Sequence, residues 1–279
     1  MSNELYYNDD REFLKLVSRR PDVDLTVAAL ELARDAYPEI EFRQTSEWID
    51  ARGGELSSAV ARSRAEADAL KELAACISES HGISGTKEAY DRADGSFLNR
   101  VIETKSGIPI SLSLLYMAVA KRVGLDLEGV SAPMHFLTRY ESVDGPLFID
   151  AYSGGRILTH EECTEWLQGI ASLDRKEAES ALRPARPRLI VMRMLNNLKA
   201  LYARNENWQA AWQVQHRLTA LQPASYQERR DLALISLKAN RPGTALDLLE
   251  ASLAVCPEDE RESLQSRLAE AKSQLSRWN

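Results

Sequence analysis

The 279-residue chain is 44% hydrophobic and 28% charged, an ordinary globular composition with room for one large domain or two smaller ones. Its net charge of -7, without a basic stripe, argues against nucleic acid as the main partner, because binding a polyanion depends on clustered Lys and Arg. No apolar run reaches the ~20 residues that span a bilayer, so we expect no membrane-spanning segment.

The N-terminus and the cysteines both indicate a cytoplasmic protein. The first residues are acidic and lack the basic flank and apolar core of a secretion signal. Cys76, Cys163 and Cys256 lie far apart, and no CxxC pair occurs. Neither a disulfide framework nor a zinc knuckle is therefore predicted.

The N-terminal region, residues 1–96, has a mainly helical pattern. Leu and Ala recur at helical spacing over residues 25–36, and Pro38 stops that run. Two further helices are predicted over residues 48–56 and 56–80.

The middle of the chain predicts a long helix followed by a small antiparallel sheet. The helix begins at Pro109, which suits a first helical position, and Gly124 closes it. The predicted strands cover residues 127–130, 135–140, 147–150 and 156–158. Residues 144–146 are predicted as a loop, and Thr159 with Glu162 has the spacing of a capping box at the start of another helix.

Two prolines within residues 183–188 mark the best linker in the sequence. We therefore predict two domains, residues 1–182 and residues 189–279. The fold class is α+β, with a helical N-terminal region, a papain-like or transglutaminase-like core and an all-α C-terminal part.

The C-terminal part contains an internal repeat. Ala211 and Ala245 lie 34 residues apart, and so do Pro223 and Pro257. This is the tetratricopeptide period, in which each unit is a pair of antiparallel helices, and residues 258–278 would form a capping helix. Such stacks bind proteins or peptides. A plain helical bundle with an accidental period is the alternative.

The middle of the chain contains several short motifs in a fixed order. They lie at residues 96–101, 107–113, 119–125, 128–130, 133–136 and 148–150. Together they resemble the SirB-type proteins, a bacterial family with a transglutaminase-like domain followed by tetratricopeptide repeats. The chain departs from the family pattern at Met134, where a glycine is more usual.

The resemblance implies a site of papain-like chemistry, with a Cys at a helix N-terminus, a His as base and an Asp that orients the His. His135 and Asp150 match the family's His and Asp. Pro109 occupies the position expected for the Cys. Ser113, about one turn further along the helix, is the candidate replacement, whereas Ser111 points roughly to the opposite side.

Three functions follow from these observations. The first is a non-catalytic interaction or regulatory scaffold that binds a protein or peptide through its repeats. The second is an acyl hydrolase or transferase that uses His135 and Asp150 with Ser113 or a partner-supplied nucleophile. The third is a structural linker without a cleft. No cofactor is expected, and no metal, because the four histidines lack metal-binding spacing.

Overall fold

The computed structural model describes residues 7–276, so the first residues and the predicted end of the last helix at residue 278 lie outside the described part. Within that part the chain divides into two compact units, residues 7–194 and residues 195–276. Across the described residues, no helix combines the length and the apolar character needed to cross a bilayer.

Helices form the beginning of the first unit. They are α1 (Arg11–Val17), α2 (Leu25–Arg34), α3 (Phe42–Arg62) and α4 (Glu66–Ala74), and α4 continues as a π-helix, Ala75–Ser80. The predicted boundary at residue 56 is wrong, because α3 runs through it. Ile49, Gly53 and Leu56 are all buried at helical spacing, so one apolar face continues across the predicted break. The chain leaves the helix at Ser63, which is extended.

A buried helix lies at the centre of this unit. Before it come two 3₁₀ turns (Lys87–Asp91 and Ala93–Ser96), α5 (Leu98–Thr104), and the short parallel strands β1 (Ser84–Gly85) and β2 (Ser106–Gly107). The central helix, α6 (Pro109–Arg122), begins at the predicted proline. Gly124 follows it with a φ of +75°, a conformation that favours glycine. Gly53 lets α3 approach closely, since a Cβ there would lie 2.3 Å from the Cβ of Arg122.

The predicted antiparallel sheet is present as four strands in sequence order. They are β3 (Leu127–Val130), β4 (Leu137–Ser142), β5 (Gly145–Asp150) and β6 (Arg156–Thr159). The predicted loop at residues 144–146 is shorter than expected, because Gly145 and Pro146 already pair with β4. The predicted strand at residue 135 also starts later, at Leu137. Met134 has a φ of +61°, which turns the chain immediately before the strand.

One face of the sheet packs on α7 (His160–Ala171), which the predicted capping box of Thr159 and Glu162 starts. The core between them contains Phe148, Leu158 and Cys163. Two more helices follow, α8 (Arg175–Ala181) and α9 (Pro187–Arg204).

The second unit is helical throughout its described part. Beyond the end of α9 it contains α10 (Trp208–Leu221), α11 (Tyr226–Lys238), α12 (Pro242–Leu253) and α13 (Glu258–Ser276), and each of these packs on the next. Ala211 and Ala245 are fully buried, as expected for small residues at helix crossings. Trp212 belongs to the core, and its indole N–H donates to Ser236 Oγ at 3.0 Å.

Candidate functional site

His135 and Asp150 come together at one end of the sheet. His135 lies in the turn before β4, where its backbone N–H donates to the carbonyl of Ala132 at 3.3 Å. Asp150 is the last residue of β5. Because β4 and β5 are hydrogen-bonded neighbours, the turn and the strand end meet, and His135 Nε2 lies 2.8 Å from Asp150 Oδ1.

The Asp150 carboxylate is held by more than the histidine. Its Oδ1 accepts the backbone N–H groups of Tyr152 at 3.1 Å and Ser153 at 3.2 Å, and its Oδ2 accepts the Ser153 hydroxyl at 2.7 Å. Burial acts to raise the pKa of Asp150, but the hydrogen bonds from His135 and Ser153 outweigh it and hold the pKa below its ordinary value. Asp150 is therefore a fixed anion at neutral pH.

Aromatic rings enclose the imidazole. Trp166 of α7 meets the His135 ring edge-on with centroids 5.0 Å apart, and Tyr152 does so at 6.0 Å. Only 11% of the His135 side chain is exposed. The imidazole bonds to Asp150 through Nε2, so Nδ1 is the ring nitrogen left for any reacting group.

Ser113 lies on α6 and is fully buried. Its hydroxyl makes no hydrogen bond to any described residue, His135 included. Ser111 is engaged elsewhere, because its hydroxyl donates to the carbonyls of Gly95 at 2.5 Å and Ile108 at 3.0 Å. A serine nucleophile needs a base within hydrogen-bond reach, and neither serine has one in this conformation.

Cys163 does not supply the missing nucleophile. Pro109 is the first residue of α6, at the position where the resemblance implies a Cys. Cys163 is fully buried in the core beneath the sheet, and burial raises the pKa of its thiol to about 12. The reactive form of cysteine is the thiolate, so Cys163 is chemically quiet at neutral pH.

Comparison with known proteins agrees with this architecture. The family model of the transglutaminase-like superfamily matches residues 43–196, more than half of the chain. The chain belongs to this superfamily. A tetratricopeptide-repeat model matches residues 198–270, so this member of the superfamily carries both of the domain types predicted from its sequence.

Two bacterial relatives match this chain over most of their own length, and a longer mouse protein matches it over part of its length. A UPF0162 protein of Xylella fastidiosa (strain Temecula1) is 34% identical over 84% of both chains. Protein SirB1 of Salmonella typhimurium is 23% identical over 86% of this chain and 88% of its own. F-box only protein 21 of Mus musculus is 27% identical over 77% of this chain, which corresponds to 33% of that longer protein. The predicted SirB-type membership is confirmed.

One further residue of this transglutaminase-like unit supports the site, although no motif in the sequence points to it. Arg193 donates to Ser131 Oγ at 3.0 Å and to the carbonyl of Ala132 at 2.5 Å, and its guanidinium lies over the Phe136 ring at 5.8 Å. It thus holds the turn that carries His135. Arg193 lies beyond the predicted linker at residues 183–188, so the predicted domain boundary placed it in the repeat domain and not beside His135.

The repeat unit has a charged surface built from alternate helices. Lys199 of α9 lies 3.3 Å from Asp231 of α11, and Arg230 of α11 lies 2.7 Å from Glu260 of α13. Tyr226 adds a hydrogen bond of 2.7 Å to Glu260. We call these five side chains the charged face. All are partly buried, so they present an ordered pattern of both signs.

Proposed function

We propose that this chain is a non-catalytic, cytoplasmic interaction protein, a bacterial pseudoenzyme in which the transglutaminase-like unit is a recognition or regulatory scaffold and the repeats bind a protein or peptide. The observation that carries the proposal is the environment of His135. Its imidazole faces a carboxylate and aromatic rings, and no described hydroxyl or thiol is hydrogen-bonded to it. Pro109 stands where the nucleophile would be.

The hydrogen bonds of Asp150 fit a structural role for the pair. The carboxylate connects His135 to the turn after β5 through Tyr152 and Ser153. Arg193 holds the turn before β4, which carries His135, by its bonds to Ser131 and Ala132. Together these contacts fix two loops at one end of the sheet, which suits a rigid recognition surface.

The charged face supports a protein or peptide partner. Alternate helices of a tetratricopeptide stack line the surface on which such proteins receive their ligands. Here that surface carries Lys199 and Arg230 next to three acidic or hydroxyl groups. Arg is enriched among residues that dominate binding energy at interfaces, so Arg230 is the residue on which we expect recognition to depend most.

A capture experiment tests the proposal. Immobilised wild-type protein and variants are incubated with a lysate of cells that express the protein naturally, and the retained proteins are quantified by mass spectrometry. We expect a double variant, Lys199→Ala with Arg230→Ala, to retain the specific partner about tenfold less or worse. The variant should remain folded, because partly exposed ion pairs contribute only about 0.2–1 kcal/mol.

Two controls make the result specific. Arg267→Ala removes an arginine whose ion pair is with Glu270 of its own helix, and it should retain the partner fully. His135→Ala should also retain a partner that binds through the repeats. Loss of capture in His135→Ala, with the double variant unaffected, would place recognition at the sheet and contradict the proposed role of the repeats.

The second candidate function is acyl transfer at His135. The observation that favours it is the 2.8 Å contact with Asp150, together with a free Nδ1. Ser113 is not in position to react, so in this version the nucleophile comes from a bound partner. This second function predicts that acyl transfer occurs only when the partner is bound. His135→Ala should then lose the activity and still bind the partner as tightly as wild type does.

A further inference from the structure

Three side chains with metal-binding atoms converge at a place remote in sequence from the His135 site. His81 Nε2 lies 2.9 Å from Glu55 Oε2, and Cys76 Sγ lies 3.9 Å from the same oxygen. The three ligand atoms all lie within 4.8 Å of one another. We propose that Glu55, Cys76 and His81 bind one zinc ion.

An irregular helix turn creates this arrangement. Residues five apart on an α-helix point about 140° away from each other, so Cys76 and His81 would not share a face of a regular helix. Here Ala75–Ser80 form a π-helix, and the backbone N–H of His81 donates to the carbonyl of Cys76 at 3.1 Å. The wider turn sets the two residues one above the other. Such π-turns are rare in proteins, and many of those that occur lie at functional sites.

The third ligand comes from a neighbouring helix. Glu55 lies on α3, more than 20 residues before Cys76, so the site joins two elements. One thiolate, one imidazole and one carboxylate make a borderline-soft donor set that suits zinc and does not suit calcium or magnesium. Tetrahedral zinc with bonds of about 2.0–2.3 Å holds its ligand atoms roughly 3.5 Å apart. The observed distances of 2.9 Å and 3.9 Å lie on either side of that spacing.

A second layer of contacts positions the ligands. Arg52 donates to Glu55 Oε1 at 2.7 Å, which leaves Oε2 to face His81 and Cys76. The Arg52 guanidinium lies 4.8 Å from the centre of the Trp48 ring, and Trp48 meets the His81 ring edge-on at 5.6 Å. Outer contacts of this kind fix the orientation of metal ligands. The positive charge of Arg52 also opposes a cation, so we expect weaker binding than at a closed four-ligand site.

The exposure of the ligands indicates an open coordination position. Cys76 is buried, but 27% of the His81 side chain and 48% of the Glu55 side chain are exposed. Zinc can therefore enter from solvent. Three protein ligands plus one open position is the arrangement in which zinc binds water or a donor group of another molecule. The spacing of the four histidines does not reveal this cluster, because its other two donors are a cysteine and a glutamate.

Metal titration of the full chain tests the proposal. Metal-free protein is titrated with zinc chloride in competition with a chromophoric chelator, and in parallel with cobalt chloride, whose thiolate complexes absorb in the near ultraviolet. We expect one equivalent of zinc per chain and a thiolate-to-cobalt absorption band. Cys76→Ser and His81→Gln should each weaken zinc binding by at least about tenfold.

Matched variants keep the result specific. Cys256→Ser and His160→Gln, at residues without a place in the cluster, should leave zinc affinity and the cobalt band unchanged. Circular dichroism of each variant verifies that it is folded. If wild-type protein binds no zinc, or if its cobalt complex lacks the thiolate band, the proposal is overturned without reference to any variant. Loss of binding in Cys256→Ser, with Cys76→Ser unaffected, would overturn it equally.

Discussion

The two units of this protein place their important residues in different ways. In the repeat unit, Ala211 and Ala245 sit one period apart, and both are fully buried. In the transglutaminase-like unit, His135 and Asp150 belong to a turn and a strand end that meet only because β4 and β5 pair. A repeated local pattern thus fixes packing in the first case, whereas sheet pairing and loop contacts fix the site in the second. Changes in the sheet should therefore disturb the site, and changes in the repeats should act through helix packing.

The largest effect is expected in the core beneath the sheet. Phe148 lies two positions before Asp150, and its side chain is fully buried in a core with Leu158 and Cys163. Phe148→Ala should lower the free energy of unfolding by about 3–5 kcal/mol, because it leaves a cavity and removes apolar contacts. Urea unfolding followed by circular dichroism measures this. Val143→Ala, at a side chain that is 90% exposed, is the control and should change stability by less than about 0.5 kcal/mol.

The second largest loss of stability is expected when the Asp150 carboxylate is replaced. Asp150→Asn should cost about 1.5–3 kcal/mol at neutral pH, because it replaces hydrogen bonds to a charged acceptor. The pKa of Asp150 is lowered on folding, so its contribution is present above the unfolded pKa of about 3.9 and is lost as the pH falls through the folded value. The difference between wild type and variant should therefore shrink in acid.

Unfolding experiments at several pH values measure this difference. Asp144→Asn, at an exposed residue of the β4–β5 hairpin, is the control and should stay within about 0.5 kcal/mol of wild type at each pH. A cost of Asp150→Asn that stays constant into acid would show that the carboxylate charge does not stabilise the turn.

A smaller loss of stability is expected when a buried alanine between two repeat helices is enlarged. Ala245 on α12 is fully buried, and Leu in its place should cost about 1–3 kcal/mol because the extra atoms have no space. Ala251 lies on the same helix and is exposed, so Ala251→Leu is a matched control with an expected change under about 0.5 kcal/mol. Thermal and urea unfolding of both variants test the comparison. Equal costs would mean that the 34-residue period does not mark a packing position.

The smallest effect concerns the turn before β4. Met134 has a φ of +61° and is 77% exposed, so its side chain gains little from packing. A side chain in this left-handed conformation costs roughly 1–2 kcal/mol, and glycine loses about 0.5–1 kcal/mol more chain entropy on folding. Met134→Gly should therefore stabilise the protein by about 0.5–1 kcal/mol. Met134→Ala keeps the Cβ and should bring no such gain.

Much of the fold was predictable from local chemistry. Pro109 begins α6 and Gly124 follows its end, and Thr159 with Glu162 starts α7. These positions are predictable because capping and turn preferences act over a few residues. The start of β4 was predicted too early, since a positive φ at Met134 is a property of the folded turn. The roles of Arg193 and of the Glu55, Cys76 and His81 cluster depend on contacts between distant elements, which no local pattern reveals.

The most direct test of the central claim is a search for an acyl-enzyme. Wild-type protein and His135→Ala are incubated with an activated acyl ester, product release is followed for a burst, and intact mass reports any covalent adduct. We predict no burst and no adduct, with the same slow background hydrolysis in both proteins. A burst with an adduct at Ser113 that disappears in His135→Ala would contradict the account and identify the chain as an enzyme.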